Sequence, residues 1–247
     1  MEERNIKREP LGDALHICVN AHHRFGTDAL LLAEFAQVRK SDIACDLGTG
    51  CGIIPLILHR FCPPQKCWAV DIQPEAISLL TKTLSENDLP EITALQADLC
   101  NLPNDLPFGR LTLVTCNPPY QANGAGKKNE DVAHAIARHE VCCSIRDVCT
   151  AAARLLRFGG RLCLCSRPER LCDVISAMRA SGIEPKRLQF VAKNPQSEPW
   201  LFLIEGKKGA KPFLRTAPVR YTQSGGEMSD AMTRLYRGDV PCGTSEE

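Results

Sequence analysis

The chain alternates short apolar runs with longer stretches whose apolar residues recur every three to four positions. Runs of the first kind predict strands and stretches of the second kind predict amphipathic helices. Ile43–Leu47 is a short run ending in a Gly-rich turn, and Gly52–Phe61 is helical in pattern. Cys67–Ile72 predicts a second strand. A helix follows from Pro74 to Asn87, with proline well suited to the first helical position. Ile92–Gln96 and Leu111–Cys116 predict a third and a fourth strand. Ser144–Phe158 keeps helical spacing up to Gly159-Gly160, a stop signal, and Arg161–Cys165 predicts a fifth strand. Glu169–Ser181 predicts a helix closed by Gly182. Arg187–Ala192 and Trp200–Ile204 are two further β runs with no helix between them. Their connection, Lys193–Pro199, suits a hairpin-like return, so the last strand is expected to be antiparallel. Strands alternating with helices imply a mostly parallel sheet with helices on both faces, an α/β chain. Three segments are expected. Residues 1–40 form an N-terminal extension with a β-hairpin, from the alternation at Leu15–Asn20, and a first helix. Residues 41–206 form the core. Residues 207–247 pack on it as a basic segment with a short helix near Glu227–Tyr236.

Composition narrows the classes. The 247 residues hold 30 Lys+Arg against 29 Asp+Glu, a net charge of +1, which excludes a broadly basic nucleic-acid coat. At 44% apolar the chain is too hydrophobic for disorder. The strongest apolar stretches, Ala29–Ala33 and Ile53–Leu58, are far short of a membrane span. Met1–Pro10 is charged with no apolar run behind it, unlike a signal peptide. The 14 cysteines show no C-x-x-C step. They read as reduced, packed thiols and not as a disulfide or zinc framework. The expectation is a cytoplasmic protein with no membrane contact and no metal.

The chemistry lies at strand ends. In Asp46-Leu47-Gly48-Thr49-Gly50-Cys51-Gly52 an acid closes the first strand and three glycines follow at alternate positions. Such glycines let the backbone turn tightly and approach a ligand, and the next helix offers its N-terminal amides. A nucleotide at this strand end fits the rule for open α/β sheets. The dinucleotide fingerprint would need glycine where Ile53 stands. The G-x-G-x-G pattern behind Asp46 instead resembles the class I S-adenosylmethionine (SAM) methyltransferases, which implies their seven-stranded Rossmann-like fold. That resemblance implies that Asp46 orders the loop and engages the methionine portion of SAM. It implies that Asp71, with Ile72, takes the ribose hydroxyls, and that Asp98, with Leu99, takes the adenine amino group. Gly48, Gly50 and Gly52 would carry the loop. Each acid alone reads equally as a solvated loop carboxylate; three at successive strand ends, with the glycine loop, read as a site.

The fourth strand ends in Asn117-Pro118-Pro119-Tyr120. Two prolines cannot continue in a sheet, so the chain leaves it here. This block resembles the catalytic motif of methyltransferases acting on planar amides or exocyclic amines. Asn117 Oδ1 and the Pro118 carbonyl can each accept an N–H of such an amine and hold its nitrogen for transfer. Tyr120 can stack on a base. No metal is required, because a sulfonium is already an activated methyl donor.

Further blocks are similar to the tRNA1(Val) adenine-37 N6-methyltransferase family: Arg24-Phe25-Gly26-Thr27-Asp28 with the leucines after it, Ala137-Arg138-His139-Glu140, Arg167-Pro168-Glu169-Arg170 and Glu184-Pro185-Lys186-Arg187. By that likeness Thr27 and Asp28 lie near the methionine end of SAM; they also read as an N-cap pair opening a helix Ala29–Gln37. The target would be the adenosine 3′ of the anticodon, a loop base that is easier to extrude than a paired one. Lys207, Lys208, Lys211, Arg215 and Arg220, and Lys127-Lys128, are candidate phosphate contacts or a solvated face. His22-His23 reads as packing or surface, and His134 and His139 are poorly spaced for one helix face. Cys51 and Cys116 adjoin the loop and Asn117, so thiol reagents are expected to block the site sterically. The rival readings are a glutamine N5-methyltransferase acting on release factors, a small-molecule N-methyltransferase, and a non-catalytic SAM- or RNA-binding module. The release-factor enzymes carry a helical N-terminal domain for which few residues precede Asp46. The oligomeric state is left open.

Overall fold

A computed structural model describes residues 6–12, 15–118 and 143–238. Its centre is a sheet whose seven long strands are β3 (Ile43–Leu47), β4 (Lys66–Asp71), β5 (Ile92–Gln96), β6 (Leu111–Cys116), β7 (Leu156–Ser166), β8 (Ile183–Ala192) and β9 (Leu201–Lys208). Their spatial order is β8-β9-β7-β6-β3-β4-β5. β9, the last of the seven, runs antiparallel to both β7 and β8, between which it is inserted. The other neighbouring pairs are parallel. This is a Rossmann-like class I methyltransferase α/β fold. Two 2-residue strands missed in the sequence, β10 (Arg215–Thr216) and β11 (Arg220–Tyr221), extend the edge by pairing with β8. Their residues are too few and too polar to show a period.

Adjacent residues of the central strands feed two different cores, as the pleat dictates. Cys163 and Cys165 of β7 and Leu201 and Leu203 of β9 face one core. That core is built with α1 (Thr27–Phe35), α2 (Ile53–Phe61), Leu80 of α3 (Pro74–Asn87), and Met232 and Leu235 of a C-terminal helix. Leu162, Leu164, Phe202 and Ile204 face the other, against α4 (Ile145–Leu155) and α5 (Leu171–Ala180). The C-terminal helix, α6 (Asp230–Arg237), starts later than expected, because Glu227–Met228 pairs with Gln223–Ser224 as a small ribbon.

At the N-terminus, β1 (Lys7–Leu11) and β2 (Leu15–Val19) form an antiparallel hairpin docked on α3. The Cys18 amide donates to Thr83 Oγ1 at 2.9 Å, and Arg8 and His16 both reach Glu86. Most described cysteines are buried, consistent with small hydrophobes. No described helix is long and apolar enough to cross a membrane.

One boundary departs from the sequence pattern. α4 stops at Leu155, and Leu156 already pairs with Leu111. The Gly159-Gly160 pair lies in a bulge, where the register jumps to Leu113 opposite Arg161. A Cβ on Gly160 would come within 2.8 Å of the Leu111 carbonyl oxygen. Gly160 therefore serves a close backbone approach and Gly159 a left-handed turn at φ 75° within the bulge; neither is a helix stop.

Candidate active site

In the strand order, β3 and β6 lie side by side while the connections leave them in opposite directions. A crevice forms at the carboxyl ends of strands at such a switch point. A cavity of about 620 Å³ opens there, within the roughly 300–1,000 Å³ range of ligand sites. It is lined by Gly48 and Gly50 after β3, Asp71 and Ile72 after β4, Asp98 and Leu99 after β5, and Asn117 and Pro118 after β6.

The glycine loop is tied to the end of β4. Gly48 and Thr49 donate to the Val70 carbonyl, at 2.8 and 3.0 Å. Gly48 and Gly50 sit at φ 70° and 56°, a left-handed region that suits glycine, and a Cβ on either would meet nothing within 4 Å. Asp71 is the orderer of this loop: its Oδ2 accepts from the Gly50 amide at 2.8 Å and its Oδ1 from the Gln73 amide at 2.9 Å. Asp46, expected in that role, lies elsewhere. It is fully buried and accepts from Thr115 Oγ1 at 2.6 Å, with the Thr49 hydroxyl nearby; among the described residues its Oδ2 meets no partner in hydrogen-bond geometry. Burial pushes its carboxyl up to about 7, against the pull of the Thr115 hydroxyl. Gly52 does not line the cavity either; it N-caps α2, and a Cβ there would strike Leu80 at 2.3 Å. Asp98 opens a short 3-10 turn, accepting from the Cys100 amide at 2.8 Å. Ile72 is 40% exposed, an apolar side chain left uncovered beside the cavity.

Asn117 is held from two sides. Its Nδ2 donates to Asp28 Oδ2 at 3.0 Å, and its Oδ1 accepts from the Cys165 thiol at 3.0 Å. Thr27 and Asp28 do not line the main cavity. Gly26, not Thr27 or Asp28, is the N-cap residue of α1, and it makes no side-chain cap bond. Thr27 Oγ1 pairs with the Tyr236 hydroxyl at 2.7 Å. It borders a second cavity of about 390 Å³ with Trp200, Met232 and Tyr236. Pro119, Tyr120, Lys127, Lys128, His134 and the block Ala137–Glu140 lie outside the described residues.

The sequence reading missed the wall supplied by β7 and α5. Ser166, Arg167, Arg170 and Asp173 line the main cavity, with Arg146 from α4. Arg167 also donates to the Trp200 carbonyl at 3.0 Å. The block Arg167–Arg170 stood out in the sequence, and its place just after a fifth strand was the available signal. The thiol expectation also changes. Cys51 and Cys116 are 2% exposed, and burial pushes Cys51 up to about 12 and Cys116 well above the usual thiol range. The thiolate is the reactive form, so burial disfavours reaction at both, although Cys116 borders the cavity.

The chain is similar to two curated bacterial proteins named tRNA1(Val) (adenine(37)-N6)-methyltransferase. One, from Parabacteroides distasonis, is 27% identical over 184 residues, covering 74% of this chain and 76% of the relative. The other, from a Flavobacteriaceae bacterium, is 26% identical over 179 residues, covering 67% and 74%. Among solved structures, a predicted O-methyltransferase from Agrobacterium tumefaciens superposes with a TM-score of 0.66 at 20% identity. That match covers 87% of this chain and 97% of the other, and it speaks to the fold. The family model of the methyltransferase small domain matches residues 16–172. The chain belongs to the methyltransferase small domain family.

Proposed function

We propose that the protein transfers a methyl group from SAM to the N6 amine of an adenosine in tRNA, the base 3′ of the anticodon. The carrying observation is that Asn117 lines the same cavity as the glycine loop, Asp71 and Asp98. The curated relatives' shared name supports the substrate class.

The residues present fit the cofactor. Two left-handed glycines line the cavity with open space before them, and carboxylates stand at the ends of β4 and β5 for hydroxyl and amine donors. Bound SAM supplies a methyl group already activated on a sulfonium. Asp71 keeps the loop in shape; in a bound cofactor it would offer its oxygens to the ribose, Asp98 would take the adenine amine, and Ile72 and Leu99 would supply apolar surface beside them.

The protein's own part in the reaction is positioning. An exocyclic amine is a weak nucleophile because its lone pair is delocalised into the ring. Asn117 Oδ1 and the Pro118 carbonyl each accept one N–H, which turns the lone pair toward the methyl and fixes the approach. Pro119 and Tyr120 lie outside the described residues, and Tyr120 is assigned the stacking role by its place in the motif. Arg146, Arg167 and Arg170, lining the cavity, supply positive charge for an RNA backbone.

The test is a competition between acceptors with methyl-labelled SAM: unmodified tRNA, a release factor and free adenosine. Label is expected in tRNA. Label confined to the release factor or to adenosine would overturn the proposal.

A further inference from the structure

We infer that Asp28 and Cys165 are positioning residues that fix the rotation of the Asn117 carboxamide, so that its oxygen and not its nitrogen meets the acceptor amine. The inference deepens the proposed function and rests on it for the identity of the acceptor. Its geometry stands on the described residues alone.

A carboxamide can sit in two orientations half a turn apart, and its neighbours decide between them. Asp28 Oδ2 lies 3.0 Å from Asn117 Nδ2. An ionised carboxylate only accepts, so the amide face beside it must be the NH2. On the other side Cys165 Sγ lies 3.0 Å from Asn117 Oδ1. A thiol is a weak donor and a weaker partner for an NH2, so it favours the oxygen on that face. The flipped amide would oppose oxygen to carboxylate, losing that contact, and leave the NH2 only the weakly accepting sulfur. The two neighbours thus select the same rotamer. A carboxamide oxygen has two acceptor positions. Accepting the thiol therefore does not bar it from also accepting the amine N–H.

The surroundings hold the selectors in turn. Cys165 is fully buried on β7, where its backbone pairs with Leu203, so its thiol has little freedom. Asp28 is in the first turn of α1, and its carboxylate crowds Gly26: a Cβ there would lie 2.5 Å from Asp28 Oδ1. The Gly26-Thr27-Asp28 block and the Asn117-Pro118 block, 89 residues apart, therefore meet in one hydrogen bond.

The experiment compares Asp28→Ala, the isosteric Asp28→Asn, Cys165→Ala and Cys165→Ser with the wild-type chain. The first readout is the Asn117 side-chain NH2 pair in 15N-labelled protein, assigned by its loss in Asn117→Asp. The wild-type pair is expected to exchange slowly with solvent, and Asp28→Ala to speed that exchange at least tenfold. This readout needs no substrate, so it separates a failure of the inference from a failure of the proposed function. The second is kinetic. Asp28→Ala is expected to lower kcat about 10- to 100-fold with KM for tRNA and Kd for SAM within about threefold of wild type. Asp28→Asn, able to present either face, should fall between. Cys165→Ser should recover most of the kcat that Cys165→Ala loses. Unchanged amide exchange in both Asp28 variants would overturn the inference. So would a loss of SAM binding that parallels the loss of kcat.

Discussion

Asp46 sits behind the glycine loop, not in the cavity, and there it shapes how stability depends on pH. Its carboxyl is pushed up to about 7 by burial, whereas an unfolded aspartate releases its proton near 3.9. Between those values the folded chain holds a proton that the unfolded chain has lost. Stability from this group is therefore fully present below about 4 and drains away as pH rises through about 7. Asp46→Asn keeps an acceptor for Thr115 and cannot ionise. Urea denaturation at pH 5 and pH 8 should show the variant gaining on the wild type by on the order of 2 kcal/mol across that interval. Parallel pH slopes would contradict the burial argument. The acid's place at a strand end was legible in the sequence. Its function was not, because a one-dimensional motif does not say which carboxylate reaches the loop amides. Asp71 does, through Gly50.

At the scale of elements, the far end of the sheet is held by a buried ionic cluster. Arg161 of β7 donates to the carbonyls of Ala36 and Gln37 just after α1, and pairs with Asp42 at 3.1 Å and Glu205 of β9 at 3.4 Å. Arg187 of β8 joins through Glu205 and lies over the Phe35 ring at 3.9 Å. The guanidiniums satisfy carbonyls at the end of a helix, which fixes α1 and with it Asp28. Arg161→Met should cost about 3–5 kcal/mol, because carboxylates are left buried without their cation, and should lower Tm by roughly 10 °C. A Tm within 2–3 °C of wild type would remove the cluster's structural role. Nothing in the local sequence signals this network, since its members are more than 100 residues apart at the extremes. α3 and the strands β3, β5 and β6, by contrast, follow directly from period and proline placement. The end of α4 did not, because a glycine pair in a bulge looks like a helix stop.

Across the whole molecule, the parallel strands point their carboxyl ends at one rim, where the ends of β3, β4, β5 and β6 bring together the glycine loop, Asp71, Asp98 and Asn117. Lys207 and Lys208, at the end of β9, do not lie there. Lys207 pairs with Arg161 and Lys208 with Ile183, at the opposite end of the sheet from Ser166. Lys208 Nζ is spent on the Ala153 and Leu156 carbonyls, and Arg220 on Glu34. The sequence showed a run of charge but not which end of the sheet it lay on. Arg146, Arg167 and Arg170 line the cavity at the rim, Arg167 also bonded to the Trp200 carbonyl and Arg170 paired with Asp173. The central claim is that this rim delivers a methyl group to one adenosine amine. Its most direct test is mass spectrometry of nucleosides from unmodified tRNA after reaction with SAM, using wild-type protein and Asn117→Ala. The wild type should yield N6-methyladenosine, mapped to the position 3′ of the anticodon. Asn117→Ala should yield none while still binding SAM within a few-fold. A methyl group on another base, or N6-methyladenosine undiminished in Asn117→Ala, would contradict the account.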